Sequence, residues 1–243
     1  MFGNLFDHVE YQTHEIVFDE NHKVKLNISK AATTELHLTG QVLWPASYLF
    51  CYFALKNKAL FKDKNVMELG AGVGLVGLLV SQLGVKRMIM TDGEDDIVSL
   101  LEKNRILTKD TFVKGGNIKE TVLSVKQLWW GVDGEIEKCL GPNNDCDIVI
   151  GADILANALG DPRVPLQCAK DVLMYNKTDR VKKQFVCAYR SRSELNREYI
   201  KDVAKELGFT LQIVPPSTFL PAEIPSTHMI DRDMLLCIFE LCS

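Results

Sequence analysis

The stretch that decides the fold is Val66-Met67-Glu68-Leu69-Gly70-Ala71-Gly72-Val73-Gly74-Leu75-Val76-Gly77. It passes from a short apolar run, through closely spaced glycines, into a second apolar run. Glycine tolerates positive φ and carries no Cβ, so such a loop turns tightly and lets a ligand approach the backbone. The stretch therefore predicts a strand, a ligand-binding loop and a helix, which together open a doubly wound α/β sheet.

The rest of the chain alternates between strand-like and helix-like segments, which predicts a largely parallel sheet with helices on both faces. The predicted strands are 66–69, 87–91, 121–127, 147–151, 184–188, 209–214 and 233–240, and the predicted helices are 45–58, 74–83, 94–107, 164–175 and 193–207. Residues 1–40 predict an N-terminal β appendage with strands at 15–18, 24–28 and 34–38, ahead of a main domain at 41–243. The connection 215–232 contains four prolines and predicts a long loop.

Composition excludes several classes of protein. The chain has 243 residues, 47% of them hydrophobic, and a formal net charge of -4, so it offers no positive field for the phosphates of nucleic acid. Its longest strongly apolar stretch, 66–80, contains Glu68 and several glycines and is too short to span a membrane. Seven cysteines without a CxxC pair, and five scattered histidines, predict free thiols and no metal site. A monomer in the cytoplasm is expected, with the nucleus left open.

The glycine loop is compatible with two cofactors. Gly72, Gly74 and Gly77 have the GxGxxG spacing of dinucleotide-binding loops. However, Glu68 would repel a pyrophosphate, whereas it would attract the ammonium and sulfonium of S-adenosylmethionine. Asp92, at the end of the next strand, would accept hydrogen bonds from ribose hydroxyls in either case, or would cap the following helix. These residues favour S-adenosylmethionine and leave a dinucleotide or a purely structural loop as alternatives.

Four patches within residues 40–153 resemble methyltransferase family 16, the seven-β-strand protein methyltransferases. They are Gly40-Gln41-Val42-Leu43-Trp44-Pro45-Ala46, Glu68 to Gly77 of the glycine loop, Leu128-Trp129-Trp130-Gly131, and Asp147-Ile148-Val149-Ile150-Gly151-Ala152-Asp153. The resemblance implies a Rossmann-like class I methyltransferase domain at 41–243, S-adenosylmethionine as cofactor, and transfer of a methyl group to a lysine of a protein substrate.

The resemblance also implies a role for each matching position. Trp44 would line the cofactor pocket, and Trp130 would border the adenine. The other cofactor-binding positions would be Gly70, Ala71 and Gly72 beneath the methionine part, Asp92 at the ribose, and Ala152 through its backbone. Indole rings suit such a wall because they are flat and apolar, although a lone tryptophan is otherwise a core residue.

Asp153 is the expected catalytic residue, which would bind and orient the incoming amine while water carries the proton away. The family often reads Asp-x-x-Tyr here, whereas this chain reads Asp153-Ile154-Leu155-Ala156. In the family this tyrosine helps to shape the channel that receives the target lysine. Asn157 or a tyrosine from elsewhere could substitute for it here. Its absence leaves open arginine, histidine or a small amine as the methylated group.

Two further expectations concern the substrate side of the molecule. The segment Tyr189-Arg190-Ser191-Arg192 also resembles a family segment with an arginine, its alternative being a solvated basic turn. The N-terminal segment and the loop 215–232 are expected to shape the substrate entry. A third hypothesis is a non-catalytic binding module that keeps the fold, although the presence of both Glu68 and Asp92 argues against it. The chain lacks the Asn/Asp-Pro-Pro-Tyr/Phe motif that would indicate methylation of an amino group in a nucleic acid.

Overall fold

The computed structural model describes residues 10–30, 36–112, 122–142, 144–155, 160–176 and 182–241, which contain two sheets. An antiparallel hairpin consists of β1 (Tyr11–Val17) and β2 (Lys23–Ser29). A seven-stranded sheet consists of β3 (Asn65–Leu69), β4 (Arg87–Asp92), β5 (Val122–Gln127), β6 (Ile148–Ala152), β7 (Gln184–Arg190), β8 (Phe209–Val214) and β9 (Met234–Leu241).

The large sheet has the order β5-β4-β3-β6-β7-β9-β8. Strands β3 to β7 are parallel, whereas β9 runs antiparallel to both β7 and β8. The chain winds outward from β3 to β5 and then returns to β6 on the other side of β3. The carboxyl ends of β3 and β6 therefore lie side by side at the switch point, where open α/β sheets bind their ligands. This confirms the doubly wound, mostly parallel seven-stranded sheet.

Helices cover both faces of this sheet, so its central strands are buried on both sides and read as continuous apolar runs. They are α1 (Pro45–Lys56), α2 (Lys58–Phe61), α3 (Leu75–Val80), α4 (Asp95–Phe112), α5 (Glu135–Leu140), α6 (Arg163–Met174) and α7 (Glu194–Glu206). Val66 packs in the same core as α1 and α3, whereas its neighbour Met67 packs in the core with α6 and α7. Among the helices that the structure describes, none is long and apolar enough to span a membrane.

Three elements differ from the sequence prediction. The strand expected at 34–38 is wrong for residues 36–38, which belong to a 3-10 turn, Leu36–Gln41; residues 34 and 35 lie outside the described ranges. The chain passes close to α4 there, because a Cβ on Gly40 would lie 2.8 Å from Ile97 Cδ1. Helix α5 is short and was not predicted, and Asn57 separates α1 from α2 within the helix expected at 45–58.

The N-terminal hairpin packs against helices α3 and α4 of the main domain rather than standing apart. Val24 and Leu26 are fully buried in the core shared with α1 and α3. Asn104 of α4 bonds both backbone groups of Asn27, since its Oδ1 accepts from Asn27 N–H at 2.8 Å and its Nδ2 donates to Asn27 O at 3.1 Å. The same Nδ2 donates to Val73 O at 2.9 Å, which joins the hairpin to the glycine loop. The domain division at residue 40 stays a prediction.

Candidate functional site

The glycine loop turns sharply at the carboxyl end of β3. Gly70 and Gly72 have φ of +60° and +53°, a conformation that glycine adopts without strain. A Cβ on Gly70 would lie 2.8 Å from Ile154 Cγ2 and 3.3 Å from Trp130 Cζ2. The loop is held to the neighbouring strand by Ala71 N–H, which donates to Thr91 O at 2.9 Å. The turn therefore brings the end of β3 against the residues that follow β5 and β6.

Asp92 ends β4 and fastens the glycine loop through its carboxylate. Its Oδ2 accepts from Gly72 N–H at 3.0 Å and its Oδ1 from Gly93 N–H at 2.9 Å. Burial raises the pKa of Asp92, while the backbone N–H groups of Gly72, Glu94 and Gly93 act in the opposite direction. A carboxylate has about four acceptor positions, so these bonds orient Asp92 and leave room for hydroxyl donors.

Glu68 lies beneath the loop, only 2% exposed, and faces the first turn of α3. A Cβ on Gly77 would lie 2.3 Å from its Oε2, which explains why the third glycine of the pattern is needed for packing. Burial raises the pKa of Glu68 well above its usual value; the Gly77 N–H lowers it and the Asp92 charge raises it further. Its Oε2 is buried without a hydrogen-bond partner among the described residues. Two carboxyls with raised pKa values, buried Glu68 and half-buried Asp92, fit a cationic ligand such as S-adenosylmethionine, because a positive charge favours their ionised forms.

The tryptophans are placed differently from one another. Trp44 precedes α1, and its indole N–H donates to Thr39 O at 2.9 Å, which leaves only its half-buried ring to contact a ligand. Trp130 is half-buried beside Gly70. Trp129, which sequence reasoning did not assign, is 45% exposed and lies over Gly93, the residue after Asp92. Its position within Leu128-Trp129-Trp130-Gly131 was the signal for it.

Ala152 and Asp153 lie where β6 ends. Asp153 has φ +61° and is 8% exposed, and its N–H donates to Ala188 O at 2.7 Å. Its Oδ1 accepts from Arg190 N–H at 3.0 Å, which fixes the carboxylate against β7. Burial raises its pKa, an effect opposed by the Arg190 N–H and by the charges of Arg192 and Arg190. Ala156 and Asn157 lie outside the described residues.

The structure brings the expected site residues to one edge of the sheet. Ile154 packs against Gly70, so the segment of Asp153 adjoins the glycine loop. A Cβ on Gly72 would lie 3.1 Å from Gly40 O, so the segment that leads to Trp44 adjoins the same loop. Glu68 is the exception, since it lies below the loop against α3. Within the described ranges, no group of three or more His, Cys, Asp or Glu side chains could hold a metal ion.

Several arginines lie at this edge of the sheet. The sequence pattern singled out Arg190 and Arg192 but not the others. Arg197 and Arg232 line a pocket together with Arg192. Arg232 is forty positions from Arg192 along the chain, so no local pattern connects them. Only the antiparallel pairing of β7 with β9 brings them together.

Comparison with known proteins assigns the chain to a family. A family model described as lysine methyltransferase matches residues 20–206. Protein N-terminal and lysine N-methyltransferase EFM7 of Gibberella zeae is 28% identical over 196 residues, covering 78% of this chain and 71% of that protein. Protein-lysine N-methyltransferase EFM3 of Saccharomyces cerevisiae is 28% identical over 83% of this chain and 59% of its own length.

A solved structure agrees in fold. PH1948 of Pyrococcus horikoshii, for which an RNA methyltransferase activity is suggested, superposes with a TM-score of 0.53 over 88% of this chain and 90% of its own. At 17% identity this likeness shows the fold alone. The family model spans most of the chain, and the sheet agrees with the class I methyltransferase fold. The family implies S-adenosylmethionine as the methyl donor. The chain therefore belongs to the lysine methyltransferase family.

Proposed function

We propose that this enzyme methylates the side-chain amine of a lysine in a protein substrate, using S-adenosylmethionine. The observation that carries the proposal is that Ile154, the residue after Asp153, packs against Gly70 of the glycine loop, which Asp92 fastens at Gly72 and beneath which Glu68 is buried. When bound, S-adenosylmethionine supplies a methyl group activated by its sulfonium. The family and its named relatives support lysine as the acceptor.

The cofactor half of the site is set by backbone geometry. Asp92 is oriented by the N–H groups of Gly72 and Gly93, so its remaining acceptor positions are available for the two ribose hydroxyls. Glu68 acts from beneath the loop, where its ionised form stabilises the ammonium and sulfonium electrostatically. The adenine would meet an apolar wall at Trp130, and the cofactor would meet the ring of Trp44 and the backbone of Ala152.

Asp153 receives the substrate amine. Free lysine has a pKa of about 10.4, and the attacking amine must be neutral. Asp153 holds the ammonium on arrival and favours its charged form, whereas burial in the site lowers the lysine pKa because desolvation disfavours the charged form. Arg190 N–H fixes one oxygen of the carboxylate, so Asp153 holds the amine in a defined orientation, and solvent water accepts the proton. Most of the rate enhancement then comes from positioning.

The first experiment uses tritiated S-adenosylmethionine with the purified enzyme and a cell lysate, beside an Asp92→Ala variant. Label in a discrete protein band that the variant does not produce, recovered as methyl-lysine after hydrolysis, is the expected result. Label confined to small molecules would overturn the protein substrate and favour a small amine. Label recovered as methyl-arginine or methyl-histidine would overturn lysine as the acceptor.

A second acceptor, the α-amine of a protein N-terminus, is favoured by the activity named for the Gibberella zeae relative. An α-amine has a pKa of about 8, so a larger fraction of it is neutral near pH 7 than of a lysine amine. Acetylating the N-terminus of the substrate before the assay distinguishes the two, because acetylation blocks the α-amine and leaves the lysine available.

We also propose that the enzyme works as a monomer in the cytoplasm. The six cysteines within the described ranges are free and buried, which supports a reducing compartment: Cys51, Cys139, Cys146, Cys168, Cys187 and Cys237. Sedimentation of the purified protein and imaging of a tagged full-length chain test the two statements separately.

A further inference from the structure

A pocket rich in arginine lies at the carboxyl edge of the sheet, on the side away from the glycine loop. The residues that line it are Ser191, Arg192, Ser193, Arg197, Arg232, Asp233 and Leu235, and we call it the arginine pocket. Because β9 is antiparallel to β7, with Arg190 paired to Met234, the residue that follows β7 and the residues that precede β9 meet at the same edge. The pocket therefore opens on the edge that carries Asp153.

Two of the three arginines present their guanidinium groups to solvent. Arg192 and Arg232 are exposed, and neither makes a hydrogen bond or an ion pair with another residue that the structure describes. In contrast, Arg190 pairs with Asp231, and Arg197 Nη2 donates to Glu194 Oε2 at 2.7 Å. The pocket lining carries three arginines and a single acid, Asp233, within a chain of net charge -4. It is thus a locally positive site with donors to spare.

Helix α7 adds to this positive field. Its thirteen residues begin at the pocket, and the N-cap Ser193 accepts from Asn196 N–H at 3.1 Å through its Oγ. The N-terminus of a helix of this length carries a partial positive charge. Arg197 adds a third positive charge to the lining, although its Nη2 is already bonded to Glu194, so the donors that face solvent are those of Arg192 and Arg232.

The arginine pocket is directly connected to the catalytic carboxylate. Arg190 N–H holds Asp153 Oδ1 at 3.0 Å, and Arg192 follows two residues later. Two residues of extended chain span about 7 Å. A peptide that places its lysine at Asp153 and runs toward β9 therefore reaches the pocket within a few residues of that lysine.

We infer that the arginine pocket binds an acidic side chain of the protein substrate, located within about four residues of the target lysine. This inference rests on the proposed function and adds the class of substrate to it. Guanidinium groups match a carboxylate with two parallel hydrogen bonds, which gives direction as well as attraction. A lysine flanked by basic residues would instead be repelled, so the pocket also discriminates against the wrong substrates.

An acidic peptide fits this edge better than a nucleic acid does. Exposed acids Glu94, Asp95 and Asp96 lie beside Asp92 at the cofactor half of the same edge. A nucleic acid carries a charge at every phosphate and would meet these acids along its length. A peptide needs only one or two carboxylates in register with Arg192 and Arg232.

The test uses synthetic peptides with a single central lysine and a free-lysine control. Three flank types are compared at four positions on each side: Asp or Glu, the isosteric Asn or Gln, and Arg. The enzyme variants are Arg192→Gln with Arg232→Gln, and, as a matched control, Lys62→Gln with Lys86→Gln, which removes the same charge from exposed positions at the opposite edge. The readouts are kcat/KM for tritium transfer and the anisotropy of a fluorescein-labelled acidic peptide.

The wild-type enzyme is expected to prefer the acidic over the neutral flank by at least about 5-fold, with the preference decreasing as salt is added. The arginine double variant should lose that ratio, and the lysine double variant should keep it. Equal use of all flanks, or a preference that survives in the arginine variant, would overturn the inference and leave lysine methylation intact. Tighter binding of the pocket to a single-stranded RNA probe than to the acidic peptide would also overturn it.

The failure of the proposed function itself has a separate signature. If cofactor binding is measurable by calorimetry but no lysine in any peptide or lysate protein is labelled, then lysine methylation is overturned, and this inference with it.

Discussion

The two halves of the carboxyl edge are built in opposite ways. At β3 and β4 the charged groups are acids largely withdrawn from solvent, and Asp92 is held by the backbone N–H groups of Gly72 and Gly93. At β7 and β9 they are exposed arginines, which come from segments forty residues apart. The first half is tied down by backbone hydrogen bonds, which suits a small cofactor of fixed shape. The second half is exposed to solvent, which suits the recognition of a peptide.

The largest expected effect is the loss of cofactor affinity in Asp92→Ala. This change removes the acceptors for two ribose hydroxyls and releases the N–H groups of Gly72 and Gly93, so the Kd for S-adenosylmethionine should rise about 10³-fold. Calorimetry measures it, and Asp95→Ala, an exposed acid of α4, is the control for lost charge. A change below about 5-fold in folded Asp92→Ala would remove the ribose role and favour the capping alternative.

Asp153→Asn should separate the substrate half from the cofactor half. The amide keeps an oxygen acceptor but loses the charge that attracts an ammonium, so kcat should fall about 10²-fold while cofactor Kd stays within about 3-fold. Single-turnover kinetics and calorimetry on the same sample provide the two numbers. An equal loss of both in a folded variant would contradict the assignment of Asp153 to the substrate.

Gly77→Ala tests how tightly the cofactor half is packed. The added methyl would lie 2.3 Å from Glu68 Oε2 and 2.6 Å from Met90 Cγ, so the free energy of unfolding should fall by about 2 kcal/mol. Urea unfolding measures the change. Leu195→Ala, at a side chain exposed at the start of α7, should lose less than about 0.5 kcal/mol. If Gly77→Ala is equally harmless, the packing of α3 is looser than the structure indicates.

The smallest effect concerns His228 in the loop that leads to β9. It is buried, bonds Tyr52 Oη at 2.8 Å, stacks on Tyr48 and contacts Phe18 of the hairpin. Burial lowers its pKa, so the unfolded chain binds this proton at a higher pH than the folded protein does. The stabilisation by neutral His228 is therefore complete above about pH 6.5 and is lost as the pH falls below it.

Between pH 7.5 and 5.5 the loss should reach at most about 1.4 kcal/mol. The His228→Gln variant should lack this component, whereas His14→Gln, at an exposed site, should retain it. Urea unfolding at the two pH values measures the difference. Identical pH profiles for the wild type and His228→Gln would show that His228 titrates normally in the folded protein.

The cofactor half was largely predictable because its determinants are local. A buried strand, three glycines and an acid at the end of the next strand each leave a pattern over a few residues, and the strands and helices around them follow from hydrophobic periodicity. Prediction was wrong at 36–38, where a short alternation in Leu36-His37-Leu38 resembled a strand although the chain turns against α4. It also missed α5, whose six residues are too few to show a helical period.

The sequence by itself determined the fold class, the order of the elements and the acids of the cofactor half. Only the tertiary structure decided that Glu68 lies against α3 beneath the loop, that the indole N–H of Trp44 bonds Thr39, and that distant arginines form one pocket. The reason is physical. Local patterns report which residues are buried and where the backbone turns, whereas a contact between distant segments depends on strand order and on the packing of side chains.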